Sequence, residues 1–185
     1  PGGTTAGPGG PASARAVRTL RGTGDPGRWD GMTELLLHYA ARRDHLEKTV
    51  LPALQRGDWV ISDRFADSTM AYQGYGLSVP RETIETLHRI AIDGLKPDLT
   101  LILDLSVEAG LARAGERDDA SGNGGSDANR YERMDRNFHE RLRTGFPAIA
   151  AAEPARRLVV VPAAEPAPLP RALPPPLPAR PPPPP

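Results

Sequence analysis

The stretch W-V-I-S-D-R-F-A-D-S-T-M-A-Y-Q-G-Y-G, residues 59–76, constrains the fold more than any other part of the chain. Its opening is uncharged and follows the turn signal Gly57-Asp58, which predicts a buried strand of the parallel type. Polarity then switches abruptly at Asp63-Arg64. In open α/β sheets, ligands bind just beyond the carboxyl ends of the strands, so a charged pair at that point is a candidate site. The residues that follow are too small and too rich in hydroxyls for an ordinary core helix, yet they include Tyr72, Gln73 and two glycines. Such a mixture suits the wall of a pocket for a polar, flat ligand.

The flanking sequence supplies helices and further strands. Asp30 is an N-cap candidate for a long helix in which Leu35, Leu36, Tyr39, Leu46, Val50 and Leu54 fall near a 3.6-residue repeat. Pro52, lacking an amide donor, is expected to kink its last turns. His38 and Arg42 stand one turn apart on a shared face. Pro80 to Ile92 predicts a packing helix through Ile84, Leu87, Ile90 and Ala91, stopped at Gly94 and Pro97, with His88 structural or solvated. Leu99 to Leu105 reads as a second buried strand, with Asp104 near its end and Ser106 capping the next helix. That helix leads into D-D-A-S-G-N-G-G-S-D-A-N, a stretch without apolar anchors that is expected to be a mobile loop. Arg113 and Arg117 bound it on one side and Arg130 on the other. Helical periodicity resumes through Tyr131, Met134, Phe138, Leu142 and Phe146, and Arg157 to Val161 reads as a last strand. Strands alternating with helices of this length predict an α/β fold, a doubly wound parallel sheet with helices on both faces.

Composition narrows the function. The 185 residues include no cysteine, which removes disulfides and thiolate chemistry, and the formal net charge is zero. Nothing therefore argues for broad electrostatic binding to nucleic acid or to an anionic membrane. There is no long apolar run and no signal-peptide pattern, so a cytoplasmic location is the expectation. The 22 prolines and 19 glycines concentrate toward the two ends. Residues 162–185 are dominated by proline and are expected to form a disordered, polyproline II-prone tail.

The string D-R-F-A-D-S-T-M-A-Y-Q-G-Y-G resembles the D-R-[YF]…S…A-Y-Q-G segment of bacterial thymidylate kinases. The opening P-G-G-T is similar to the end of that family's R-E-P-G-G-T strand. L-L-L-H-Y-A-A-R-R-D-H resembles the family helix whose aromatic residue and arginine, four apart, stack on and hydrogen-bond the thymine base. The Gly/Asp-rich loop between two helices is similar to a nucleoside monophosphate kinase lid, here about 113–130.

The resemblance covers residues 1–161 and implies a P-loop nucleoside monophosphate kinase-like domain. It is incomplete: the family's first strand, P-loop and first helix are expected to lie upstream of residue 1. No G-x-x-x-x-G-K-[ST] occurs in the sequence. The chain as given is therefore expected not to bind ATP productively. The implied reaction is ATP plus dTMP giving ADP plus dTDP, with Mg²⁺, in a homodimer.

The implied catalytic residues are Asp63, Arg64, Arg117 and Arg130. Arg64 would hold the dTMP phosphate, Asp63 would orient Arg64 or a Mg²⁺-bound water, and Arg117 and Arg130 would neutralise charge on the transferred phosphoryl group. Arg113 and Arg117 are the implied ATP contacts; which lid arginine acts stays open. Substrate contacts fall to Arg18, His38, Arg42, Arg64, Thr69, Tyr72 and Gln73. Arg18 would help hold the phosphate and Arg42 would read the thymine carbonyl. Tyr72 and Gln73 would close over base and sugar, with Tyr72 favouring deoxyribose. The stacking aromatic is His38, or Tyr39 after a small rotation. Two alternatives stay open: another nucleoside monophosphate kinase of the same fold, and a non-catalytic fragment whose proline-rich tail docks a partner.

Overall fold

The structure is a computed structural model that describes residues 3–4, 25, 27–121, 127–153 and 157–162. Arg18 and the tail beyond Pro162 lie outside the described residues, as does the side chain of Arg117. Strand β1 (Gly3–Thr4) pairs in parallel with β2 (Val60–Ile61), Gly3 opposite Val60. Among the described residues between them are α1 (Gly31–His45), a π-helical turn Leu46–Val50 and α2 (Leu51–Gln55). Beyond β2 come α3 (Ala66–Thr69), a second π-helical stretch Met70–Gly76 and α4 (Arg81–Ile92). Strand β3 (Leu99–Asp104) leads to α5 (Val107–Ser121), α6 (Asp127–Glu132), α7 (Arg136–Ala152) and β4 (Arg157–Pro162). β4 returns parallel to β3, Leu99 opposite Arg157 through Asp104 opposite Pro162. Both strand pairs are parallel and both are joined by helical crossovers, as a doubly wound α/β fold requires.

The caps follow the sequence. Asp30 Oδ1 accepts from the amides of Met32 and Thr33, both at 2.9 Å, and the Thr33 hydroxyl donates to Oδ2. Those bonds hold the Asp30 carboxyl below its ordinary pKa. Ser106 Oγ accepts from Ala109 N at 3.2 Å at the start of α5. The kink expected at Pro52 takes the form of the π-helical turn before it, which places the missing amide in the first turn of α2. Helix α4 ends with Asp93 and Gly94 both left-handed, at φ 53° and 70°.

Two apolar clusters hold the helices together. Leu35, Tyr39, Leu46 and Val50 meet Ile84 and Ile92 between α1 and α4. Ala71, Tyr131, Phe138, Leu142 and Ile149 join the second π-helical stretch to α7. His88, expected to be structural or solvated, is buried, and the Tyr39 hydroxyl lies 3.3 Å from its Nδ1. Burial pushes the His88 pKa down and that of Tyr39 up, because both charged forms lose hydration there.

Several expectations are corrected. Leu36 and Ile90, placed on the buried stripes by periodicity, are 50 % and 73 % exposed. The two runs expected as buried strands are covered on one side at most: Ile102 is buried, while Trp59, Ile61, Leu101 and Leu103 are all at least 60 % exposed. Each described strand has a single neighbour, so the outer face has no second layer among the described residues. Within the loop expected over 118–129, residues 118–121 and 127–129 are helical, since α5 runs through Ser121 and α6 starts at Asp127, while 122–126 lie outside the described residues. The helix expected from Arg130 onward breaks before Asp135, whose carboxylate caps α7 by accepting from Phe138 N at 2.6 Å.

Candidate functional site

The turn after β2 carries the first group. Arg64 sits at φ 67°, in the left-handed region that side chains other than Asn, Asp or Gly seldom adopt. Ser62 Oγ donates to the Arg64 carbonyl at 3.0 Å and closes this turn. Strain of this kind persists only where its surroundings impose it, and it concentrates at functional positions. The exposed Arg64 guanidinium lies 5.0 Å from the centre of the Tyr72 ring, on the π-helical stretch. Asp63 is exposed beside it.

The second group faces it from α1. Arg42 Nη2 donates to Thr69 Oγ1 at 2.7 Å and to the Phe65 carbonyl at 3.3 Å. Its guanidinium covers the Tyr39 ring at 4.6 Å and the Phe65 ring at 5.5 Å. Arg42 is thereby anchored over the segment that follows Asp63-Arg64. Tyr39 is 2 % exposed and packed toward His88, so the rotation that would bring it to the base position is blocked. His38, half-buried, points instead toward Tyr131, its Nε2 lying 3.4 Å from the Tyr131 hydroxyl.

A third, buried group lies behind these two. Glu34 is fully buried; its Oε1 pairs with Arg130 Nη2, and its Oε2 accepts from Tyr131 OH at 2.7 Å and from Gln73 Nε2 at 3.0 Å. Gln73 Nε2 also lies 3.3 Å from Tyr131 OH. Arg130 Nε donates to the Asp25 carbonyl at 3.0 Å. Arg130, expected on the lid, is thus 1 % exposed inside a charge pair, whereas Arg113 is exposed on α5.

The structure therefore brings Arg42, Thr69, Arg64, Tyr72, Gln73 and His38 around one region between α1 and the stretch 63–76. Sequence reading missed Glu34 and Tyr131. A signal for the first existed: Glu34, His38 and Arg42 are spaced four apart and share a helical face.

Among the described residues no three His, Asp or Glu side chains converge as metal donors. A Mg²⁺ that enters with a nucleotide is held mainly by phosphate oxygens and water, so such a site needs no preformed cluster of three carboxylates. No helix among them is long and apolar enough to cross a membrane.

Comparison with known proteins bears on the family. The family model for thymidylate kinase matches residues 10–168. The chain is 48 % identical over 158 residues to the thymidylate kinase of Caulobacter vibrioides, covering 85 % of this chain and 72 % of that protein. It is 45 % identical over 159 residues to the thymidylate kinase of a Jannaschia species, covering 86 % and 73 % respectively. The crystal structure of thymidylate kinase from Ehrlichia chaffeensis superposes with a TM-score of 0.62 at 32 % identity, over 88 % of this chain and 70 % of that one. With the Asp-Arg turn, the arginine-bearing helix and the parallel strand pairs all in place, the match extends far beyond one motif, and the chain belongs to the thymidylate kinase family of nucleoside monophosphate kinases.

Proposed function

We propose that this chain binds dTMP between α1 and the 63–76 segment, for transfer of the γ-phosphoryl group of Mg·ATP to give dTDP. The observation that carries this reading is the left-handed Arg64, exposed over Tyr72 at the end of a parallel strand. A guanidinium fork matches two phosphate oxygens at once, which a point charge does not. Phosphoryl transfer asks a protein mainly for positioning and charge neutralisation, and these side chains supply both. Asp63 orients Arg64, Arg42 reads the base, His38 lies against its ring, and Tyr72 and Gln73 back the sugar and base. Charge neutralisation on the ATP side falls to Arg113 and Arg117, and phosphate contact on the amino-terminal side to Arg18. Arg130 is assigned no direct contact, since its guanidinium is committed to Glu34.

Calorimetric titration with dTMP, dCMP and dAMP tests the reading: dTMP should bind best, and equal binding of all three would favour a less selective kinase of the same fold. Arg42→Ala should weaken dTMP binding by about 1–3 kcal/mol, the cost of a charged hydrogen bond left unmade, and narrow the margin over dCMP. Unchanged affinity and unchanged preference would reduce Arg42 to a packing residue.

A homodimer in the cytoplasm completes the proposal. Met32 and Leu36 on α1 and Ile90 on α4 are exposed around a shallow groove of about 380 Å³, an apolar face on which a second copy can pack. Sedimentation equilibrium reads this directly, and a monomer at micromolar concentration would refute it.

A further inference from the structure

Glu34 takes part in more than charge neutralisation. Compensating the buried Arg130 guanidinium occupies one of its oxygens, Oε1. The other, Oε2, accepts hydrogen bonds from two residues on separate elements, Gln73 and Tyr131. A phenol has a single proton to donate, so once Tyr131 gives it to Glu34 its oxygen can only accept. A hydrogen bond across the 3.4 Å contact with His38 then needs a proton on Nε2. The Tyr131 ring in turn meets the Tyr72 ring edge to face, 5.1 Å between centres, and Tyr72 carries Arg64. Two ring contacts therefore separate this carboxylate from the guanidinium assigned to the phosphate.

We infer that Glu34 is a positioning residue for the nucleotide site: its Oε2 sets Gln73 and Tyr131, and through them His38, Tyr72 and Arg64. This inference rests on the dTMP reading of those residues. Charge pairing with Arg130 is the separable, structural half of its role. A buried pair can be replaced by neutral groups with little loss of stability, while removal of one member leaves an uncompensated charge. The two halves can therefore be pulled apart.

The test uses the full 185-residue chain, with dTMP titrated calorimetrically and melting temperature followed in parallel. Glu34→Gln alone should melt lower, because Arg130 stays buried and charged. Glu34→Leu combined with Arg130→Met, which removes the charge pair and the shared acceptor together, should recover most of that melting temperature, yet bind dTMP at least about tenfold more weakly than the parent, a cost typical of buried hydrogen bonds lost around a site. Tyr131→Phe, which keeps the ring and deletes only the hydroxyl, should weaken dTMP binding about three- to tenfold with little change in melting. Binding within about twofold of the parent by the double variant, or by Tyr131→Phe should the double variant not fold, would show a purely structural pair and overturn the inference. A parent chain that does not bind dTMP at all overturns the dTMP reading, and this inference with it.

Discussion

Arg64→Lys is expected to weaken dTMP binding at least about tenfold, roughly 1.4 kcal/mol, while leaving thymidine binding within about twofold. The contrast between nucleotide and nucleoside isolates the phosphate. Lysine keeps the positive charge but offers a compact ammonium in place of a planar fork, so one of two phosphate oxygens loses its donor. Position also matters. The Arg64 backbone is held left-handed by the Ser62 hydroxyl, and the side chain is steered by the face of Tyr72. A lysine placed on the same backbone has neither the stacking surface nor the rigidity to reproduce that direction. Arg64→Ala should be worse than lysine for dTMP and again near neutral for thymidine, with the fold intact by circular dichroism. Equal losses for nucleotide and nucleoside would move Arg64 from the phosphate to the base or sugar.

The largest effect on stability should come from Phe138→Ala, about 3–5 kcal/mol by chemical denaturation, the range for deleting a buried phenyl ring from a packed core. Phe138 is 1 % exposed, lies parallel to the Tyr131 ring at 6.3 Å and meets Tyr72 edge to face at 6.1 Å. It also fills the space left by the missing side chain of Gly76, where a Cβ would stand 2.5 Å from Phe138 Cε2. Helix α7 is drawn onto the π-helical stretch at that point, and Arg141 Nη2 reinforces the approach by donating to the Gly76 carbonyl at 2.9 Å. Alanine would leave a cavity whose walls belong to two different segments and cannot easily close it. Domains of this size are stable by only about 5–15 kcal/mol, so the variant should unfold at markedly lower denaturant. A cost under about 1 kcal/mol would mean that the aromatic cluster repacks around the loss.

Much of this architecture was legible in the chain. The switch from an apolar run to Asp63-Arg64 located the turn at the end of a parallel strand. Asp30 and Ser106 announced their helices through local side-chain-to-backbone bonds, which involve only residues two or three positions away. The strand from Arg157 and the helices on either side of residues 118–129 were likewise readable from periodicity, although their ends were not. The resemblance carried by D-R-F-A-D-S-T-M-A-Y-Q-G-Y-G identified the family, because backbone geometry and ligand chemistry dictate residue types together in that segment.

Other features depend on partners far away in the chain, and there the sequence is silent. Periodicity marked Leu35 and Leu36, Leu87 and Ile90 as apolar positions, but which of them is covered depends on the angle at which α1 and α4 cross. Leu101 and Leu103 alternate with Ile102 along β3, and only the placement of neighbouring layers determines that the first two face outward. The clearest case is Arg130. Read locally, it is a cation bordering a polar loop; in the fold it is buried against Glu34, 96 positions earlier, and held to the Asp25 carbonyl. Local chemistry specifies a cap, a turn or a strand end, because the interacting groups are neighbours along the chain. The pairing of a buried charge is decided by tertiary packing, since desolvation forces it to find whichever opposite charge the fold brings within reach.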